Sequence, residues 1–297
     1  MITVIGTVFV DIKGYPSGKY NPGGRNPGRI ETVHGGVGRN IAADMAASGR
    51  KCIFVSLTDE SGTGENVVKE LDTAGVDISF MRKNRNGTGI WMAIFGDDND
   101  VVDSVSQRPD MTPVLDILRE SGDRIFSVSD AVTVEIDMDR EIMKEVFRLA
   151  NKYHCPVYGC VSNISLAVQN ADFLPGLECL VCNLEEFGTL FSDDFRNTDS
   201  GDIADTISDL AESAGIRRMV VTMGADGAVY SDLSGKRSCC GRVPARPAEV
   251  VDTTGAGDAF FSGVVMSLSD GKDLRTACEY GAGLSAQVIG IKRSSLA

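Results

Sequence analysis

The sequence predicts an α/β protein: a mostly parallel sheet between two layers of helices, with a small β-rich addition. Three observations carry this. Short apolar runs alternate with stretches of helical spacing along most of the 297 residues, the pattern of repeated strand–helix units. The strand candidates are short and read as buried, which suits a parallel sheet covered on both faces. Two stretches, 11–34 and 87–108, break the alternation with Gly, Pro and Asn or with β-like runs.

Taken in order, ITVIG is a first strand. GRNIAADMAASG follows as a helix, with Ile41, Met45 and Ser48 at helical spacing and Gly49 ending it. CIFVSL is a strand, and TGENVVKELDTAG is a helix again closed by glycine. DAVTVEI precedes the helical DREIMKEVFRLANKY, and CPVYG and CLVCN are further strands. GDIADTISDLAESAG leads into RRMVVTMG, EVV supplies a strand end, and DAFFSGVVMSL reads as a buried helix. Residues 11–34 carry no helix pattern, while TGIWMAIF and DVVDSVS form a hairpin joined by GDDND. The two insertions are either surface loops or one small sheet acting as a lid over a cleft. A single domain spanning 1–297, with lid segments at about 11–34 and 87–108, is the economical organisation.

Composition excludes several classes. The chain is 42% hydrophobic and 24% charged, as soluble globular proteins are. A net charge of −13 disfavours non-specific binding to nucleic acid or acidic membrane. No run approaches the roughly 18 apolar residues of a membrane span. MITVIGTVFVDIKG lacks a basic leader and a cleavage site, so a cytoplasmic protein is expected. The eight cysteines are scattered through apolar segments and read as reduced, buried thiols. Cys179 and Cys182 form a C-x-x-C, but three residues apart on a strand they face opposite ways. The vicinal Cys239–Cys240 has no such reading. His34 either contacts a ligand beside Gly35 and Gly36 or ends a strand, and His34 and His154 are too few for a histidine-rich metal site.

The chemistry concentrates at VVDTTGAGDAFFSGVV. A turn stripped of bulk at Gly255, Ala256 and Gly257 leaves main-chain amides at a helix start, where the macrodipole also favours an anion. Asp258 sits in the first turn. A capping aspartate would be worth about 1 kcal/mol, but that role does not require so bare a turn. Phosphoryl transfer uses every part: the amides hold charge on the transferred group and Asp258 takes a proton from the attacking hydroxyl. A hydroxyl and Mg²⁺ between carboxylate and phosphate make their repulsion tolerable. The Walker loop is absent, and GTVFVDIKG does not match the dinucleotide fingerprint.

Gly35-Gly36-Val37-Gly38-Arg39-Asn40 and Asp252-Thr253-Thr254-Gly255-Ala256-Gly257-Asp258 are similar to the two signatures of the ribokinase superfamily of carbohydrate and nucleoside kinases. The resemblance implies a ribokinase-like three-layer α/β/α sandwich with a small β-sheet lid. It places Asp258 as base and Gly255, Ala256 and Gly257 at the transferred phosphoryl group. Asp11, Gly35, Gly36, Asn40 and Asp110 would bind substrate. Thr222, Gly224, Gly227, Thr253 and Asn183 would contact ATP, and Asn183 and Glu186 of NLEE would hold Mg²⁺ through water. A monovalent cation such as K⁺ near Asp252 is left open.

NPGRIETVHGGVGRNIAADMAASG and DVVDSVSQRPDM resemble pseudouridine kinases most. That resemblance implies γ-phosphoryl transfer from ATP to the 5′-hydroxyl of a nucleoside, pseudouridine first. Ribose, another nucleoside or another sugar is the alternative, and a ligand-binding protein of the same fold a further one. Gly159-Cys160-Val161-Ser162 departs from the Asp-Pro-Val-Ser of those kinases and lacks a carboxylate; GGRNPGR carries an extra glycine near the lid; GIKRSSLA ends early. The β insertions leave open edges, so a homodimer through the lid is expected.

Overall fold

The computed structural model describes residues 1–96, 101–195, 200–235 and 238–291. The expected GDDND turn from 97 onward and the chain end from 292 onward lie outside them. Among the described residues, nine strands form one sheet and four form another. The large sheet uses β1 (Ile2–Ile5), β4 (Cys52–Thr58), β5 (Met81–Lys83), β8 (Ala131–Glu135), β9 (Val157–Cys160), β10 (Cys179–Asn183), β11 (Arg218–Thr222), β12 (Ala228–Asp232) and β13 (Cys239–Val243). Its order is β13-β12-β11-β10-β9-β8-β1-β4-β5, parallel from β11 through to β5, with β12 antiparallel to both neighbours.

The pleat explains the three layers. Ile2 and Val4 of β1, with Cys52 and Phe54 of β4, join one apolar cluster; Ile5, Ile53, Val55 and Leu57 join the other. The first cluster is closed by α1 (Val37–Ala47), α2 (Gly62–Thr73), α8 (Ala256–Ser269) and α9 (Leu274–Ile289). The second is closed by α3 (Thr112–Phe126), α4 (Arg140–Tyr153) and α7 (Ser200–Ser213). Short α5 (Ile164–Ala167) and α6 (Leu184–Phe191) complete the chain order. Cys179 and Cys182 fall in different clusters, as the strand reading requires, and no cysteine is paired among the described residues. Cys239 and Cys240 lie exposed on the edge strand β13, and nothing in the structure explains them.

Helix α8 is buried continuously from Ala259 to Ser267. It lies so close to α9 that a Cβ on Gly263 would stand 2.6 Å from the Cα of Gly281. The strand expected at EVV is not formed. Val250 and Val251 are exposed, and the amides of Val251 and Asp252 donate to the Ile289 carbonyl at the end of α9 instead of to a strand. The α9 helix itself went unread in the sequence.

The two insertions meet in the small sheet, built from β2 (Phe9–Pro16), β3 (Gly28–Gly35), β6 (Gly89–Phe95) and β7 (Val101–Gln107) in the order β3-β2-β6-β7. β2 runs parallel to β6 and antiparallel to β3. Alternation divides its faces: Asp11, Lys13, Trp91 and Ala93 share one, while Ile12, Ile30, Ile90, Met92 and Val105 share the other. The second face mixes these aliphatic side chains with Thr32, Asp103 and Gln107, and Ile30 and Val105 are 74% and 64% exposed.

Candidate active site

The site gathers at the carboxyl ends of the parallel strands, where open α/β sheets receive ligands. Gly255 caps α8 in the left-handed region at φ 80°, a conformation that any side chain would strain. Asp252 Oδ1 accepts the Thr254 amide at 2.8 Å, which shapes the turn. One of the three expected donors is tied back: the Ala256 amide donates to the Thr253 carbonyl at 3.2 Å because the turn closes on itself. Among the described residues, the amides of Gly255 and Gly257 meet no backbone acceptor. Asp258, half-buried, lies in the first turn of α8, and its Oδ2 accepts from Asn40 Nδ2 at 2.7 Å. The two sequence motifs therefore meet at this pair.

Around Asn40 the glycines make room. Gly36 sits at φ 98°, and a Cβ there would lie 2.6 Å from the Thr7 carbonyl oxygen. A Cβ on Gly35 would stand 2.3 Å from Asp11 Oδ2, so the buried Asp11 carboxylate lies directly against the glycine pair. Glu135, at the end of β8, underpins the same corner. It accepts from the Thr7 and Gly38 amides at 2.6 and 2.9 Å, and burial raises its carboxyl to about 7. His34 is buried at the end of β3, with Nδ1 2.7 Å from Glu70 Oε2.

A cavity of 540 Å³ opens on the other side of the α8 turn. Thr222, Gly224, Gly227 and Thr253 line it together with Ala256, Gly257 and the apolar Pro247, Phe260 and Ile289.

Asn183 caps α6 in a reciprocal box: its side chain accepts the Glu186 amide at 2.9 Å, and Glu186 Oε2 accepts the Asn183 amide at 2.8 Å. Burial, with the charges of Asp137 and Asp258, raises the Glu186 carboxyl to about 7. Among the described residues, no three acidic, His or Cys side chains stand close enough to hold a metal directly. A cluster of hard oxygen donors under mutual repulsion fits Mg²⁺, which keeps several of its waters. Asp252 fits a monovalent ion poorly, because its second oxygen, Oδ2, accepts from Lys13 Nζ at 3.1 Å. Asp110 is exposed, and its Oδ1 accepts the Thr112 amide at the start of α3; no described contact joins it to Asp11 or Asp258.

Residues 1–295 match the family model described as pfkB family carbohydrate kinase. The chain belongs to that family. It is 32% identical to the guanosine-inosine kinase of Exiguobacterium acetylicum, over 99% of this chain and 96% of that protein. It is 25% identical to the pseudouridine kinase of Escherichia coli strain K12, over 97% and 90% of the two chains. The structure of Arabidopsis thaliana ribokinase complexed with ribose and ATP superposes with a TM-score of 0.81, covering 98% of this chain and 93% of that one at 20% identity. The fold is ribokinase-like, and the chain is a phosphotransferase of the carbohydrate and nucleoside kinase class.

Four residues of this pfkB kinase escaped the sequence reading. Lys13 reaches Asp252 and Thr254 from β2. Trp91 stands opposite Asp11 in the register of β2 and β6, on the same face. Arg108 Nη1 donates to the fully buried Asp137 at 2.7 Å, and Asp137 also accepts from the Ser162 amide and hydroxyl at 3.0 and 2.9 Å. Asp137 thus puts a carboxylate beside the Gly159-Cys160-Val161-Ser162 segment, which has none of its own. A buried aspartate after a strand was the available clue.

Proposed function

We propose that this pfkB kinase transfers the γ-phosphoryl group of ATP to the 5′-hydroxyl of a ribonucleoside. The observation that carries the reading is the Asn40–Asp258 hydrogen bond of 2.7 Å at the start of α8, beside the turn at Gly255 and Gly257. A carboxylate held by an amide donor keeps one orientation, as a general base must.

In this reading Asp11, pressed against Gly35, accepts the ribose hydroxyls, and Asn40 aims Asp258 at the 5′-hydroxyl. Asp258 takes the proton as the oxygen forms its bond to the γ-phosphorus. The bond to the β–γ bridging oxygen breaks, and ADP leaves. The Gly255 and Gly257 amides hold charge on the transferred group. The cavity beside Thr222, Gly224, Gly227 and Thr253 takes the nucleotide. Asn183 and Glu186 would hold Mg²⁺ through water, and its charge would offset that of the phosphates; Asp137, buried and paired with Arg108 and Ser162, supports that corner from behind.

Trp91 supports a nucleoside over a free sugar, because an indole beside the ribose-binding Asp11 offers a stacking surface for a base. The greater likeness to guanosine-inosine kinase favours a purine nucleoside, with pseudouridine the second reading. The small sheet acts as a lid, and its outer face pairs two copies into a homodimer in the cytoplasm. The test is thermal unfolding against guanosine, inosine, pseudouridine, adenosine and ribose, then identification of the product made from MgATP. Ligand at about 100 times Kd stabilises by about 2.7 kcal/mol. A 5′-monophosphate of a ribonucleoside supports the reading; ribose phosphate alone contradicts it.

A further inference from the structure

Lys13 lies in β2 two residues after Asp11 and so on the same face of the small sheet. Its side chain is 3% exposed. A buried ammonium is costly unless paired and hydrogen-bonded, and its partners come from the far end of the chain. Nζ donates to Asp252 Oδ2 at 3.1 Å and to Thr254 Oγ1 at 2.9 Å. It also stands 5.8 Å from the centroid of the Phe95 ring, whose face favours a cation. The other oxygen of Asp252 is taken by the Thr254 amide at 2.8 Å. Both carboxylate oxygens are thus engaged within the protein, and the charge that would attract a soluble cation is balanced by a covalently tethered one.

We infer that Lys13 is a built-in monovalent cation: its ammonium takes the place against Asp252 that K⁺ would need, and it holds the 253–257 turn in shape from the small sheet. Two consequences follow. Turnover by this chain requires Mg²⁺ but no K⁺. The sheet that carries Asp11 and the turn that carries the phosphoryl-binding amides are joined by one side chain, so Lys13 is a positioning residue. The inference rests on the proposed function only in assigning the turn to the phosphoryl group.

The test exchanges the purified protein into tetramethylammonium chloride with Mg²⁺, then adds KCl, NaCl or methylammonium chloride at constant ionic strength. Thermal unfolding and ADP release are both followed. For the wild type, neither Tm nor kcat changes with the cation. Lys13→Met loses about 10²-fold in kcat in tetramethylammonium, the size of effect expected of a misplaced turn, and regains activity and Tm with K⁺ or methylammonium. Lys13→Arg keeps the charge and responds weakly to added cation. A wild type whose Tm and kcat climb with K⁺ overturns the inference, and so does a Lys13→Met protein indifferent to every cation. Should Lys13→Met not fold, the wild-type cation series decides alone. Should no nucleoside be phosphorylated, the proposed function fails while the Tm series still tests the tether.

Discussion

Asn40 Nδ2 donates to Asp258 Oδ2 at 2.7 Å, joining residues 218 positions apart. Asn40 belongs to α1 and is buried, so the donor is fixed by packing, and the carboxylate is fixed in turn. Asn40→Ala is expected to lower kcat by about 10–10²-fold, as misorientation of a catalytic group does, with little change in KM for ATP. In a double-mutant cycle with Asp258→Asn the losses should fall well short of additive. Additive losses would separate the two residues.

Glu186 predicts a pH dependence. Its carboxyl is raised from 4.5 to about 7, first by burial and then by Asp137 and Asp258. The folded state therefore binds this proton more tightly than the unfolded chain does. That contribution to stability is complete below the ordinary carboxylate value and is lost as pH rises through about 7. Without metal, Tm should fall across that window. Glu186→Gln should flatten the fall without removing it, because Glu135 is raised in the same direction. Mg²⁺ should raise the wild-type Tm more on the alkaline side, where the carboxylate is ionised. Identical pH profiles for wild type and Glu186→Gln would refute the assignment.

Trp91 offers a test of substrate class. A stacked base contributes about 1–3 kcal/mol by alanine substitution, so Trp91→Ala should raise the nucleoside KM by about 5- to 150-fold. Binding of free ribose should stay unchanged. Equal effects on both ligands would remove the indole from base recognition.

The outer face of the small sheet predicts an association state. Ile30, Ile90, Met92 and Val105 expose aliphatic surface on one face, which is the basis of the proposed homodimer. Light scattering is expected to give a dimer, and Met92→Lys with Val105→Glu a monomer. A monomeric wild type at micromolar concentration would contradict the proposal.

What was legible in the chain was what neighbouring residues decide. The strand–helix alternation follows from burial period, and the glycines at 35, 36 and 255 announce close approach or a left-handed turn without reference to anything distant. Lys13 was illegible because nothing local distinguishes a lysine bound for Asp252 from a solvated one. Arg108 and Asp137 meet only after β7 leads into α3 beside the end of β8. The apolar EVV run misled for the complementary reason: its amides are satisfied by a helix end, which hydrophobicity alone does not reveal. Ala256 belongs with it, since a small residue in a turn was read as a free donor although the turn uses that amide itself.

Asp258→Asn tests the central claim most directly. The substitution preserves size and the Asn40 contact while removing the proton acceptor. With MgATP and the best nucleoside of the thermal panel, ADP release should drop by about 10²–10⁴-fold, with ligand-induced stabilisation retained. Turnover near the wild-type rate would contradict general-base catalysis by Asp258 and the kinase mechanism built on it.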